Sequence, residues 1–95
     1  MHPAQACSFQ WDDANEEHLA RHSITPEEVE QVWLNGAIWA RNRKERPADW
    51  IMIGTTDGGR WLTIIVKLLL ECEELRAITG HEVTTGERTK YLQKR

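Results

Sequence analysis

The feature that most constrains the fold is a long apolar run in the second half of the chain, from Arg60 to Leu70. From Trp61 onward, Thr63 and Lys67 are the interruptions in this run. A mostly apolar stretch of this kind predicts a strand that lies in the middle of a sheet. It is shorter than the roughly 20 residues that a membrane-spanning helix needs. We therefore expect a protein with no membrane partner.

Shorter segments around this run predict the remaining strands. Ala37–Arg41, Trp50–Thr55 and Leu75–Thr79 each have the length and composition of a strand, and Cys7–Trp11 alternates well enough for another. The glycines in residues 57–59 indicate a tight turn between two of these strands. Consecutive strands joined by short connections predict an antiparallel meander.

Capping signals predict the helices. Asp12 is a good N-cap for a first helix that ends near Arg21. Thr25 and Glu28 have the spacing of a capping box, which predicts the start of a second helix before Asn35-Gly36 ends it.

The same capping-box spacing occurs again near the end of the chain, at Thr84 and Glu87, and predicts a last helix. The order of elements predicts an α+β domain: an antiparallel β-sheet meander with two N-terminal helices and one C-terminal helix, packed on one face. Residues 1–95 form a single domain on grounds of length, with residues 1–6 as a loose lead-in.

The charge is unevenly distributed along the chain. Residues 1–75 carry seven Lys and Arg against thirteen Asp and Glu, a net charge of −6, whereas residues 76–95 carry five against two, a net charge of +3. The segment 41–46 is also locally basic. An acidic protein with two basic patches can bind a polyanion, or an acidic protein partner, on one face.

Two groups of residues resemble conserved motifs of BrnT-type toxins, and together they extend over roughly residues 9–92. One group opens the chain and the other closes it, in the order and at the distance that the family shows. The sequence departs from the family at Gly80-His81, where the family has Ala-Arg, and at Thr89-Lys90, where the family is usually richer in arginine. The opening group is Phe9, Trp11, Asp12, Asn15, Arg21, His22, Ile24, Glu27 and Glu28, and the closing group is Arg76, Ile78, Thr79, Thr84, Glu87, Arg88 and Tyr91.

The resemblance implies a RelE-like fold and the toxin component of a type II toxin–antitoxin system. Such a toxin is a metal-independent endoribonuclease that cleaves RNA, uses no cofactor and inhibits translation. A ribbon-helix-helix (BrnA-like) antitoxin would neutralise it, and DNA would be contacted indirectly, through that antitoxin. Cys7 and Cys72 form no CxxC motif, which also favours a reducing cytoplasm.

Metal-free RNA cleavage needs groups that move protons and cations that hold the phosphate charge. His81 suits the proton role, and Arg76, Arg88 and Tyr91 complete the predicted catalytic set. Strand alternation brings His81 to the face of Arg76 if the chain bends at Gly80. Glu87 is more simply explained as a helix cap than as a base.

The remaining basic residues are candidates for RNA or antitoxin binding. For the basic residues between the second and third predicted strands, a solvated hairpin tip is an equally good explanation. His18 and His22 have metal-ligand spacing but lack a third ligand, so we predict no metal site. The candidate binding residues are Arg41, Arg43, Lys44, Arg46, Arg60 and Lys90.

The five tryptophans divide into two groups. Trp11, Trp33 and Trp61 lie in apolar patterns and are predicted to be core residues, whereas Trp39 and Trp50 border the basic segment and are candidates for stacking on a base. A second reading of the whole chain also stays open: a catalytically inactive BrnT-like protein that acts as a partner-binding or co-regulatory module.

Overall fold

The computed structural model describes residues 2–42 and 50–92, and its architecture is α+β, as the sequence predicts. One five-stranded sheet carries three helices and two short irregular helical turns in the described part of the chain. The elements are a 3₁₀ turn Pro3–Gln5, β1 Ser8–Phe9, α1 Asp13–Ala20, α2 Pro26–Leu34, β2 Ile38–Arg41, β3 Trp50–Thr55, β4 Trp61–Leu69, β5 Glu74–Glu82, α3 Thr85–Glu87 and a π-helical turn Arg88–Leu92.

The sheet is mixed, with strand order β1-β5-β4-β3-β2. The prediction of a central strand at residues 60–70 is confirmed, because β4 pairs antiparallel with both β3 and β5. The prediction of a purely antiparallel sheet is wrong, since Ser8 and Phe9 pair in parallel with Glu74 and Leu75. No hairpin joins these two strands, so the turn geometry that makes neighbours antiparallel does not act on them.

The last strand is longer than the sequence indicates, and Gly80 is part of it rather than a bend that ends it. The strand contains a β-bulge before Gly80: Ile65 pairs with Thr79, whereas the next residue of β4, Val66, pairs with Ala77. A Cβ atom at Gly80 would lie 2.8 Å from Cδ1 of Ile64. A glycine therefore leaves room for the Ile64 side chain at this position.

The main hydrophobic core lies between the sheet and the helices α1 and α2. The predicted capping box of α2 is present, with the backbone N–H of Glu28 donating to Oγ1 of Thr25 at 3.1 Å. The buried apolar side chains come from both helices, from the connection between them and from the facing side of the sheet. They include Leu19, Ile24, Val29, Val32, Met52, Leu62, Ile64, Val66, Leu75 and Ala77.

The opposite face of the sheet is covered by residues 85–92, called here the C-terminal helical segment. Alternation along β4 puts Thr63 and Ile65 on this face, and Glu87 binds Thr63 there. The expectation that all helices share one face is therefore wrong. This second face also carries apolar side chains, such as the buried Ile53, which is the cross-strand partner of Thr63. Removing these side chains from water favours a covering segment on this face as well.

The tryptophans follow the same division between the two faces. Trp11 and Trp33 are partly buried against the main core, in agreement with the prediction. Trp61 is not a core residue, since it begins β4 on the second face and keeps 37% of its surface exposed. Within the described ranges, no helix is both long and apolar enough to cross a membrane.

Candidate functional site

The candidate site is centred on a contact between the end of β5 and the C-terminal helical segment. Nε2 of His81 lies 3.0 Å from Oε1 and 2.9 Å from Oε2 of Glu87. The His81 side chain is 40% exposed, whereas that of Glu87 is 23% exposed. The carboxylate is thus partly shielded while the imidazole ring remains accessible to a substrate.

Glu87 is held from several directions. Oγ1 of Thr63 donates to its carboxylate at 2.9 Å, and the backbone N–H of Thr84 does so at 3.0 Å. Its own backbone N–H donates to Oγ1 of Thr84 at 3.1 Å, which completes the predicted capping box. The prediction that Glu87 is a cap is confirmed, and the same carboxylate also orients a histidine.

These contacts determine the charge of the carboxyl group. Burial by itself would raise the pKa of Glu87, but hydrogen bonds from the Thr84 backbone, His81 and Thr63 outweigh it and hold that pKa below its usual range. Since an ionised carboxylate accepts hydrogen bonds and cannot donate them, Nε2 of His81 carries the proton. In the neutral ring, Nδ1 is then the nitrogen that can accept a proton from a bound hydroxyl group.

A cavity of about 230 Å³ adjoins this pair. It combines the Glu87 carboxylate with two cationic side chains and the phenol ring of Tyr91, so it can accommodate a phosphate and an attached sugar or base. Its lining residues are Arg41, Asn42, Ile51, Gly86, Glu87, Lys90 and Tyr91.

Aromatic rings flank the cations of this region. Cζ of Arg41 lies 4.7 Å from the ring centroid of Trp50, and Nζ of Lys90 lies 5.2 Å from that of Tyr91. Arg88 contacts a different ring, with its Cζ 5.8 Å from the ring centroid of Trp61. Of the residues that the sequence predicts, His81 contacts the Glu87 carboxylate, and Arg41, Lys90 and Tyr91 line the same cavity as Glu87. Arg88 lies instead against Trp61.

Arg76 belongs to a different set of contacts. Its guanidinium forms two hydrogen bonds to the carboxylate of Asp12, at 2.7 and 3.1 Å, and a longer one of 3.4 Å to Gln10. The hydrogen bond from Arg76 lowers the pKa of Asp12 to about 2. Because Asp12 caps α1, this pair ties β5 to the start of that helix, and the positive charge of Arg76 is compensated inside the protein.

Arg60 is likewise engaged within the fold. It forms ion pairs with Glu82 at 2.8 Å and Glu28 at 3.1 Å, and it donates to the backbone carbonyl of Ser23 at 2.6 Å. Ser23 has a left-handed φ of 59°, so Arg60 binds the tight connection between α1 and α2. These contacts assign Arg60 a structural role. The predicted binding residues Arg43, Lys44 and Arg46 lie outside the described residues.

The sequence pattern did not assign Thr63 to the site, and it favoured the role of a helix cap for Glu87. Thr63 was available as a signal, because a polar residue within an apolar strand needs a hydrogen-bond partner when it is buried. The contact of Glu87 with His81 could not be predicted from the sequence, since it depends on how the chain turns after β5. No group of three or more His, Cys, Asp or Glu side chains that could hold a metal ion occurs within residues 2–42 and 50–92.

Comparison with known proteins finds no match that would add to this description of the site. No family of known proteins matches the sequence. Neither a curated protein nor a solved structure matches it. Fold and site together define a small α+β protein with a carboxylate–imidazole pair beside a cationic cavity.

Proposed function

We propose that this chain is a metal-independent endoribonuclease, the toxin of a type II toxin–antitoxin system, with a RelE-like fold of the BrnT type and a cytoplasmic location. The observation that carries the proposal is the contact of His81 with Glu87 at the edge of the cationic cavity. A proton acceptor, an anion to orient it and cations for the phosphate are the parts that RNA cleavage needs without a metal.

The proposed chemistry uses the ribose as its own nucleophile. Nδ1 of His81 accepts the 2′-hydroxyl proton while the 2′-oxygen attacks phosphorus, and Glu87 stabilises the imidazolium that forms. The bond from phosphorus to the 5′-oxygen breaks, and that oxygen takes a proton from the Tyr91 hydroxyl. The products are a 2′,3′-cyclic phosphate and a free 5′-hydroxyl.

The cations of the cavity hold the phosphate during this step. Arg41 offers a planar fork to two phosphate oxygens, and Lys90 adds a second positive charge across the same cavity. Their charges also offset the repulsion between the phosphate and the Glu87 carboxylate. A chain with a net charge of −3 has little general attraction for RNA, so this local pair supplies the electrostatic contact.

The proposed inhibitor is a ribbon-helix-helix antitoxin of the BrnA type. It would neutralise the toxin by covering the cationic cavity with acidic side chains, and the DNA contacts of the pair would come from the antitoxin. Covering this cavity blocks the substrate without altering the fold, which makes the inhibition reversible.

Induced expression in a bacterial host tests the proposal. The wild-type chain should arrest growth and fragment cellular RNA, whereas the His81→Ala variant at the same protein level should do neither. Unhindered growth with intact RNA on expression of the wild-type chain would contradict the proposal.

A specific observation also supports the second function, a partner-binding module without catalysis. Two of the predicted cationic residues, Arg60 and Arg76, are neutralised by internal ion pairs, which leaves fewer charges for a polyanion. Under this function, an acidic antitoxin-like protein would co-purify with the wild-type chain, while cellular RNA would stay intact when that chain is expressed alone.

A further inference from the structure

We infer that Trp61 and Arg88 form a binding subsite for an unpaired nucleobase of single-stranded RNA. The inference rests on the proposed ribonuclease function and adds to it the way in which the substrate is held. It starts from the exposure of Trp61, a large apolar ring that the sequence pattern assigns to the core.

The exposed ring has a charged neighbour. Trp61 keeps 37% of its surface exposed, and Cζ of Arg88 lies 5.8 Å from its ring centroid. An indole beside a guanidinium offers a nucleobase a stacking surface and offers the adjoining phosphate a positive charge. Charge and shape therefore both favour a nucleotide as the occupant.

The register of the sheet places this surface next to the proposed catalytic pair. Trp61 and Thr63 lie on the same face of β4, two residues apart, a separation of about 7 Å along the strand. Thr63 is the cross-strand partner of His81 and also donates to Glu87. A nucleotide stacked on Trp61 would thus be a close neighbour of one bound at His81.

The cationic cavity lies in the other direction along the sheet. From Thr63, the next residue of β4 on this face is Ile65, whose partner on β3 is Ile51, a residue of the cavity wall. The His81–Glu87 contact is therefore flanked by the cavity on one side and by Trp61 on the other. An RNA strand held at both places would present its intervening phosphodiester to His81.

The ligand class follows from the stacking surface. In a duplex, both faces of a base are already stacked, so an isolated indole ring favours single-stranded nucleic acid. Stacking tolerates any base sequence, because every base has a π face. The subsite thus gives affinity and register for single-stranded RNA without strong sequence selection.

The test measures binding separately from cleavage. A fluorescein-labelled single-stranded oligonucleotide with 2′-O-methyl groups throughout cannot be cleaved by the proposed route, and its fluorescence anisotropy gives the dissociation constant. We expect Trp61→Ala to weaken binding about tenfold or more, and Trp61→Phe, which keeps a ring face, to stay within about threefold of the wild type. Leu34→Ala, at a side chain that is 75% exposed and outside the site, is the matched control and should bind as the wild type does.

Equal binding by Trp61→Ala and the wild-type chain would overturn the inference, as would a wild-type chain that does not bind the oligonucleotide. Loss of antitoxin binding in Trp61→Ala with unchanged oligonucleotide binding would also overturn it and assign the surface to a protein partner. Circular dichroism checks folding, and if Trp61→Ala does not fold, Trp61→Leu gives the same comparison because it keeps an apolar side chain without a ring.

A parallel cleavage assay on unmodified RNA separates this inference from the proposed function. Binding that depends on Trp61, with no cleavage by the wild-type chain, would support the subsite and contradict the nuclease. Cleavage that is equally fast in Trp61→Ala and in the wild type, with equal binding, would support the nuclease and contradict the subsite.

Discussion

The two carboxylate oxygens of Glu87 both lie within 3.0 Å of Nε2 of His81. This contact joins the last strand to the C-terminal helical segment, and the same carboxylate accepts from Thr63 of the central strand. A helix cap has thereby become the group that orients a histidine. The proposed function depends on this double role.

The two roles of Glu87 can be separated by substitution. Glu87→Gln keeps an acceptor for the helix cap but removes the charge that stabilises the imidazolium. We expect the RNA cleavage rate to fall about 10- to 100-fold while the free energy of unfolding changes by less than about 1 kcal/mol. Rates from single-turnover cleavage and stabilities from urea unfolding check this. Glu28→Gln, at the same position of the α2 capping box, is the matched control and should keep its cleavage rate.

The ion pair between Asp12 and Arg76 predicts a pH dependence of stability. The pKa of Asp12 falls from an ordinary 3.8 to about 2 in the folded protein. Between these values the unfolded chain binds more protons, so stability must decrease as pH falls. The contribution of the pair is complete above about pH 4 and is lost as pH falls through about 2.

The variant Asp12→Asn isolates this effect, because asparagine is also a good N-cap. Urea unfolding at a series of pH values should show a smaller loss of stability from pH 4 to pH 2 in the variant than in the wild-type chain. Parallel curves for the two proteins in that range would show that the pair does not contribute.

Arg60 is predicted to stabilise the fold without binding RNA. Arg60→Ala removes its ion pairs to Glu28 and Glu82 and its hydrogen bond to Ser23, and it should lower the free energy of unfolding by about 1–2 kcal/mol. Affinity for single-stranded RNA should stay unchanged, whereas Lys90→Ala in the cationic cavity should reduce it. A reduced affinity in Arg60→Ala at full stability would refute the structural assignment.

Gly80 is predicted to be intolerant of a side chain. The Cβ atom of Gly80→Ala would meet Cδ1 of Ile64 at 2.8 Å and Cδ1 of Ile24 at 3.1 Å, so these two buried side chains must repack, at a cost of about 1 kcal/mol. Gly58→Ala is the control, since its nearest contact is a hydroxyl at 3.8 Å. If Gly80→Ala and Gly58→Ala were equally stable in urea unfolding, the tight packing at Gly80 would be contradicted.

Local signals in the sequence were sufficient for much of the fold. Capping boxes at Thr25 and Thr84 and the apolar run of β4 each depend on neighbours within a few residues, and each is present in the structure. The parallel pairing of β1 with β5 was not predictable in this way, because it joins residues that lie 66 positions apart in sequence. The same holds for the C-terminal helical segment on the second face.

The candidate site shows the same limit. Spacing and residue type identified His81 and Lys90, but they could not show which arginines form ion pairs within the fold. Arg76 and Arg60 have the chemistry of phosphate ligands, and both are neutralised by carboxylates that the folded chain brings to them. Partner choice among charged side chains is a property of the tertiary structure.

The most direct test of the account is cleavage of single-stranded RNA by the purified chain in the presence of EDTA. The wild-type protein should cut it and leave 2′,3′-cyclic phosphate ends, and His81→Ala, checked for folding by circular dichroism, should be slower by about 100-fold or more. RNA that stays intact with the wild-type protein, or that His81→Ala cuts at the wild-type rate, would contradict the central claim.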